Sequence, residues 1–116
     1  MVDLFLRVDV AGRGRIGPGK IRLLEQIART GSISAAGRAM GMSYRRAWVL
    51  VDELNGLFSS PVVTTQTGGI HGGGAALTPL ARDLVARYRN LEIAATSIAA
   101  DHLAILEGLV VSAVDR

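Results

Sequence analysis

The chain has 116 residues, 49% of them apolar, with 13 Lys and Arg against 10 Asp and Glu. That is enough for one domain over residues 1–116 with a single core, and it excludes disorder and a separate ligand domain. With no cysteine, no secretory pattern and no bilayer-length apolar run, the chain reads as soluble and cytoplasmic, without disulfides, thiolate chemistry or zinc fingers.

His71 and His102 are too few and too far apart to suggest a metal site. Charge is unevenly spread: residues 1–50 hold nine cationic and three acidic side chains, net +6, whereas residues 51–116 hold four and seven, net −3. A basic half suits a polyanion partner or a solvated face.

Residues 4–10, Leu-Phe-Leu-Arg-Val-Asp-Val, begin apolar and then alternate, which predicts a half-buried strand. The glycine-bearing stretch Ala11-Gly12-Arg13-Gly14-Arg15 ends it. Pro18 then opens a helix in which Ile21, Leu24, Ile27 and Ala28 repeat at three and four until Gly31.

The next segment, about residues 32–57, has helix-turn-helix spacing. Ser32 or Ser34 caps a short helix ending near Met40, Gly41 supplies the turn, and Ser43 caps a second helix from Tyr44 to about Leu57. Ala47, Val51, Leu54 and Phe58 form its inward stripe, leaving Tyr44, Arg45, Arg46 and Val49 outside it. Asp52 and Glu53 would repel phosphate, so the N-terminal turns are expected to enter a DNA groove. Ser32, Ser34, Ser43, Tyr44, Arg45, Arg46 and Val49 are the motif's candidate DNA contacts. Trp48 borders both faces and reads either as packing or as a base contact.

Val62-Val63-Thr64-Thr65-Gln66 predicts a strand, and Ala75-Ala76-Leu77 its return, making a wing over residues 62–77. Five glycines between Gly68 and Gly74 strip the tip of side chains, so backbone amides can lie against a sugar-phosphate surface. Thr67, Gly68, Gly69, His71 and Gly72 are its candidate contacts. A plain flexible loop is the alternative; a phosphate-cradling loop lacks the Gly-Lys-Ser/Thr ending it needs.

Thr78-Pro79 caps and opens a long helix, about residues 79–114. Ala81, Tyr88, Ala95, His102 and Leu109 fall seven apart, as do Leu84, Leu91, Ile98 and Ile105. This a/d seam predicts pairing with another helix, its own copy first, so Leu84, Tyr88, Leu91, Ala95, Ile98, His102, Ile105 and Leu109 are assigned to a homodimer contact. Leu103, Leu106, Val110, Val111 and Val114 add a second apolar face that would cover the first strand or first helix, and Gly108 is a candidate break. The expected fold is mainly α with a small β wing: a winged helix-turn-helix with a long C-terminal dimerisation helix.

Gly31-Ser32-Ile33-Ser34, Gly41-Met42-Ser43-Tyr44-Arg45-Arg46-Ala47-Trp48, Asn55, Gly68-Gly69, Gly72-Gly73-Gly74-Ala75, Leu77-Thr78 and Tyr88 together form a pattern. It resembles the N-terminal domain of the ModE family of molybdate-dependent transcriptional regulators, over about residues 16–95. LysR-type regulators share the helix-turn-helix part more loosely. The resemblance implies a dimer that binds double-stranded DNA at a palindromic operator near genes of molybdate uptake or molybdenum-enzyme synthesis. It also implies Ser43 to Arg46 at the reading helix, Gly68 to Gly74 as the wing, and the long helix joining two protomers.

Complete regulators of that family carry C-terminal oxyanion-binding domains. Nothing after residue 97 here alternates or carries glycines as their strands would, so the chain is expected to lack those domains and to take no cofactor, molybdate included. Two functions remain open on the residues: a DNA-binding regulator, or an adaptor that uses the same fold to pair with another regulator. No membrane partner is expected. An enzyme is disfavoured, because no nucleophile has an evident neighbouring base.

Overall fold

The computed structural model describes residues 2–66 and 74–110. Its elements run β1 (Val8–Val10), β2 (Gly14–Ile16), α1 (Pro18–Thr30), α2 (Ile33–Ala39), α3 (Tyr44–Asn55), β3 (Val63–Gln66), β4 (Gly74–Leu77) and α4 (Pro79–Leu109). This is the mainly helical architecture with a small β wing that the sequence predicts.

The N-terminus differs from expectation. The strand is confined to Val8–Val10, and the stretch read as a breaker runs into its antiparallel partner, with Val8 opposite Ile16, Asp9 opposite Arg15 and Val10 opposite Gly14. Gly12, at φ 72°, makes the reversal, and the Arg13 N–H donates to the Val10 carbonyl at 2.9 Å. Leu4 to Leu6 precede this ladder, and Phe5 is exposed. A strand exists only where its ladder is satisfied, so the short return sets its length.

Pro18 begins α1, and Gly31 ends it in the left-handed region, its N–H donating to the Ile27 carbonyl at 2.8 Å. Ile21, Leu23, Leu24 and Ile27 are fully buried, whereas Ala28 faces solvent. Leu23 replaces it because α1 packs against α2, α3, α4 and β4, which demands a face wider than one stripe.

Ser32 caps α2, accepting from the Ala35 N–H at 3.1 Å, and Ser43 caps α3, accepting from the Arg46 N–H at 3.1 Å. Each such cap contributes about 1 kcal/mol. Gly41, at φ 68°, turns the chain between them. Ala47, Val51 and Leu54 are buried as the stripe predicts, but α3 stops at Asn55, and Leu57 rather than Phe58 enters the core. Asn55 Oδ1 accepts from the Val62 N–H at 2.8 Å, joining the helix end to the base of the wing.

Strands β3 and β4 pair from Val63 opposite Leu77 to Gln66 opposite Gly74. The Ala75 N–H donates to the Gly31 carbonyl at 2.8 Å, which hooks the wing onto the end of α1. Thr78 caps α4 through the Ala81 N–H and donates its hydroxyl to the Pro61 carbonyl at 2.8 Å.

Helix α4 corrects part of the expected seam. Tyr88 is buried in the chain's own core, and its hydroxyl donates to the Leu6 carbonyl at 2.7 Å, so it is unavailable to a partner helix. Leu84 is half-buried and packs against the same core. Arg89 forks onto Glu25 of α1 at 2.7 and 3.1 Å and reaches Glu92 at 2.8 Å, so its guanidinium is held well above the ordinary arginine range, chiefly by its Glu25 hydrogen bonds. Beyond this clamp the helix leaves the body: Leu91, Ile98, Ile105 and Leu109 are exposed, as is His102, while Ala95 is half-buried. Leu106 and Val110 are also exposed, so the second apolar face does not cover β1 or α1. The helix passes through Gly108 without a break and ends at Leu109. Val111 and Val114, and the expected end near residue 114, lie outside the described residues.

Candidate nucleic-acid interface

Four faces of α3 follow from its 100° step per residue. Ala47, Leu50, Val51 and Leu54 are buried, Arg45, Val49 and Asp52 lie opposite them in solvent, and two flanks lie between. The outward ridge begins with a cation and ends with an anion. Only its N-terminal part suits a polyanion, as the sequence suggests.

One flank carries Tyr44 and Trp48, whose rings meet edge to face at 6.2 Å between centroids. With Ser32, Ser34, Thr65, Gln66 and Gly74 they line an open hollow of about 270 Å³ between the helix-turn-helix and the wing. Trp48 is half-buried, and its indole N–H is shielded with no acceptor among the described residues. Tyr44 stands 58% exposed at the first turn, so its ring is free to meet a partner.

Ser43 spends a lone pair on the Arg46 N–H, and Ser34 accepts from an Arg38 guanidinium N–H at 2.8 Å. These hydroxyls therefore order α2 and α3 first and can donate outward second. Arg45 and Arg46 are exposed, and neither side chain has an ion pair or hydrogen bond among the described residues. Uncompensated guanidiniums on a capped helical turn are available donors for phosphates or guanine edges.

The structure thus brings Ser32, Ser34 and Tyr44 to one hollow and sets Arg45 and Val49 on the outward ridge. Thr67, Gly68, Gly69, His71 and Gly72, the expected contacts of the wing tip, lie outside the described residues. Sequence reasoning missed Thr65 and Gln66, exposed on β3 beside Trp48; their polar run before the glycines was the available signal. Among the described residues no cluster of three or more His, Asp or Glu side chains forms a metal site, and no helix is long and apolar enough to cross a membrane.

Residues 19–82 match the family model for bacterial regulatory helix-turn-helix proteins of the lysR family. The chain is 50% identical over 78 residues to the molybdenum-pterin-binding protein MopB of Rhodobacter capsulatus, covering 67% of this chain and 29% of that protein. It is 44% identical over 103 residues to MopA of the same organism, covering 89% and 37% respectively. To the DNA-binding transcriptional dual regulator ModE of Escherichia coli K12 it is 42% identical over 71 residues, covering 61% and 27%. The chain therefore spans about a third of the length of the curated relatives it matches.

Proposed function

This chain belongs to the lysR family of bacterial regulatory helix-turn-helix proteins, and we propose that it reads double-stranded DNA by sequence, as a homodimer, in the control of molybdenum uptake or molybdenum-enzyme genes. The observation that carries this reading is the pair Arg45 and Arg46, exposed and uncompensated on the first turn of a capped helix that projects its outward ridge from the body.

In this reading α3 enters the major groove by its N-terminal turns. Arg45 reaches base edges or phosphates, Tyr44 and Val49 make apolar contact, and Asp52 keeps the later turns away from the backbone. Ser32 and Ser34 donate to the backbone at the mouth of the hollow, with the wing beside them tracking the sugar-phosphate strand. The molybdenum assignment rests on the relatives, which bear the names of molybdenum-pterin-binding and molybdenum transport proteins and of ModE regulators.

The exposed Leu91, Ile98 and Ile105, with Ala95, His102 and Leu109 in the interleaved positions, support dimerisation through the free part of α4. A two-fold dimer would present two copies of α3 to one face of the duplex. Its operator would then be a palindrome with half-sites about one helical turn apart.

Selection of duplexes from a random-sequence library, followed by mobility-shift titration, tests this. The selected DNA should be palindromic. The double variant Arg45→Ala, Arg46→Ala should lower affinity for it by roughly tenfold or more per lost base contact. Failure to enrich any sequence, or unchanged affinity in the double variant, would overturn the reading.

A further inference from the structure

The second flank of α3, bearing Arg46 and Glu53, faces the N-terminal hairpin across an open cleft of about 440 Å³ lined also by Arg13, Gly14, Arg15 and Lys20. Four cations and one carboxylate meet there. Lys20 is nearly buried, and its Nζ donates to the Arg15 carbonyl at 2.8 Å and pairs with Glu53 at 3.0 Å. That pair is internally neutral and acts as a strut between β2, α1 and α3. Three guanidiniums, Arg13, Arg15 and Arg46, are left without an ion pair or side-chain hydrogen bond among the described residues.

The hairpin holds its place beside α3 by a close approach as well as by the strut. Gly14, at φ 153°, sits so near Leu57 that an added Cβ would lie 3.3 Å from its Cδ2. Arg13 and Arg15 therefore project from a seated platform. The major groove is about 12 Å wide and a helix with its side chains about 10–12 Å across. Whatever flanks a helix lying in that groove meets the sugar-phosphate strands that border it, and here one flank is the wing and the other the hairpin.

We infer that the β1–β2 hairpin is a second DNA-backbone clamp, in which Arg13 and Arg15, with Arg46, grip the phosphates on the side of the groove opposite the wing. The inference rests on the DNA reading proposed for α3. Its contacts are to phosphate, so they add affinity and salt dependence without adding sequence preference.

The test compares wild type with three double variants: Arg13→Ala plus Arg15→Ala, Arg13→Lys plus Arg15→Lys, and Arg45→Ala plus Arg46→Ala. Each is titrated against a library-selected duplex and a scrambled duplex of the same length, over about 50 to 200 mM salt. Loss of Arg13 and Arg15 should weaken binding to both duplexes by the same factor and reduce the slope of log affinity against log salt by about 2. The lysine variant should keep the wild-type slope. Both hairpin arginines are exposed, so melting curves should match wild type and separate lost contacts from lost folding. An unchanged slope in the alanine hairpin variant, while the Arg45 and Arg46 variant loses discrimination, would overturn the clamp and leave the α3 reading intact. Discrimination unaltered in the Arg45 and Arg46 variant would overturn the α3 assignment and with it the clamp, whatever the slope of the hairpin variant. Wild type binding neither duplex would overturn both.

Discussion

Tyr88 ties the first residues of the chain to the last helix through one hydroxyl, which donates to the Leu6 carbonyl across 82 positions of sequence. Burial pushes its phenol above the ordinary range, the Glu92 carboxylate adds to that, and the Arg89 guanidinium opposes it. A native value above the unfolded one means that folding favours the protonated phenol. The resulting stability is complete below the unfolded value of about 10 and is lost as pH rises through the native one. Tyr88→Phe should therefore cost about 1 kcal/mol at neutral pH, for one hydrogen bond. It should also abolish this part of the alkaline destabilisation, as urea melts at a series of alkaline pH values would measure. From the sequence Tyr88 was one more member of a seven-residue repeat. The repeat reports that an apolar stripe exists, and the same stripe serves the chain's own core at one end and solvent at the other.

At the scale of elements, the helix-turn-helix was the most legible part of the chain, because its signals are local. Ser32 and Ser43 cap the two helices, and Gly41 adopts the positive φ that its place between them requires. The closeness of α2 to α3 was less legible. A Cβ on Gly37 would stand 3.1 Å from the Ala47 Cβ, so this glycine sets how near the helices cross. Gly37→Leu should force them apart and destabilise the chain by about 1–3 kcal/mol, the usual cost of overpacking, which thermal melts would register. DNA binding should fall with it, since the crossing fixes the angle at which α3 projects. The β1–β2 hairpin was not legible as a pair. Its second strand is three residues long with a glycine at its start, and only the partner strand makes it a strand at all.

The whole molecule is elongated, 58 by 32 by 25 Å, because α4 continues for several turns after Arg89 has clamped it to Glu25. At 31 residues it is about 46 Å long. Ile98 is 82% and Ile105 64% exposed. Ile98→Asp together with Ile105→Asp should convert the proposed dimer to single chains in sedimentation analysis and weaken binding to a palindrome far more than to one half-site. The thermal midpoint at a concentration where the single chain is already separate should hardly move, since neither side chain touches the core. An unchanged sedimentation coefficient would place the dimer contact elsewhere.

Caps, turns and helical stripes could be read from the order of residues because each depends on neighbours three to seven positions away. The same holds for the start of the last helix, which Thr78 caps and Pro79 opens. Three-dimensional packing decided what those signals could not contain. It buried Tyr88 within its own chain, returned Gly14–Ile16 as a strand, and seated Arg13 and Arg15 across from Arg46. Each of these depends on contacts between segments distant in sequence, where an apolar or charged side chain carries no mark of which surface it will meet.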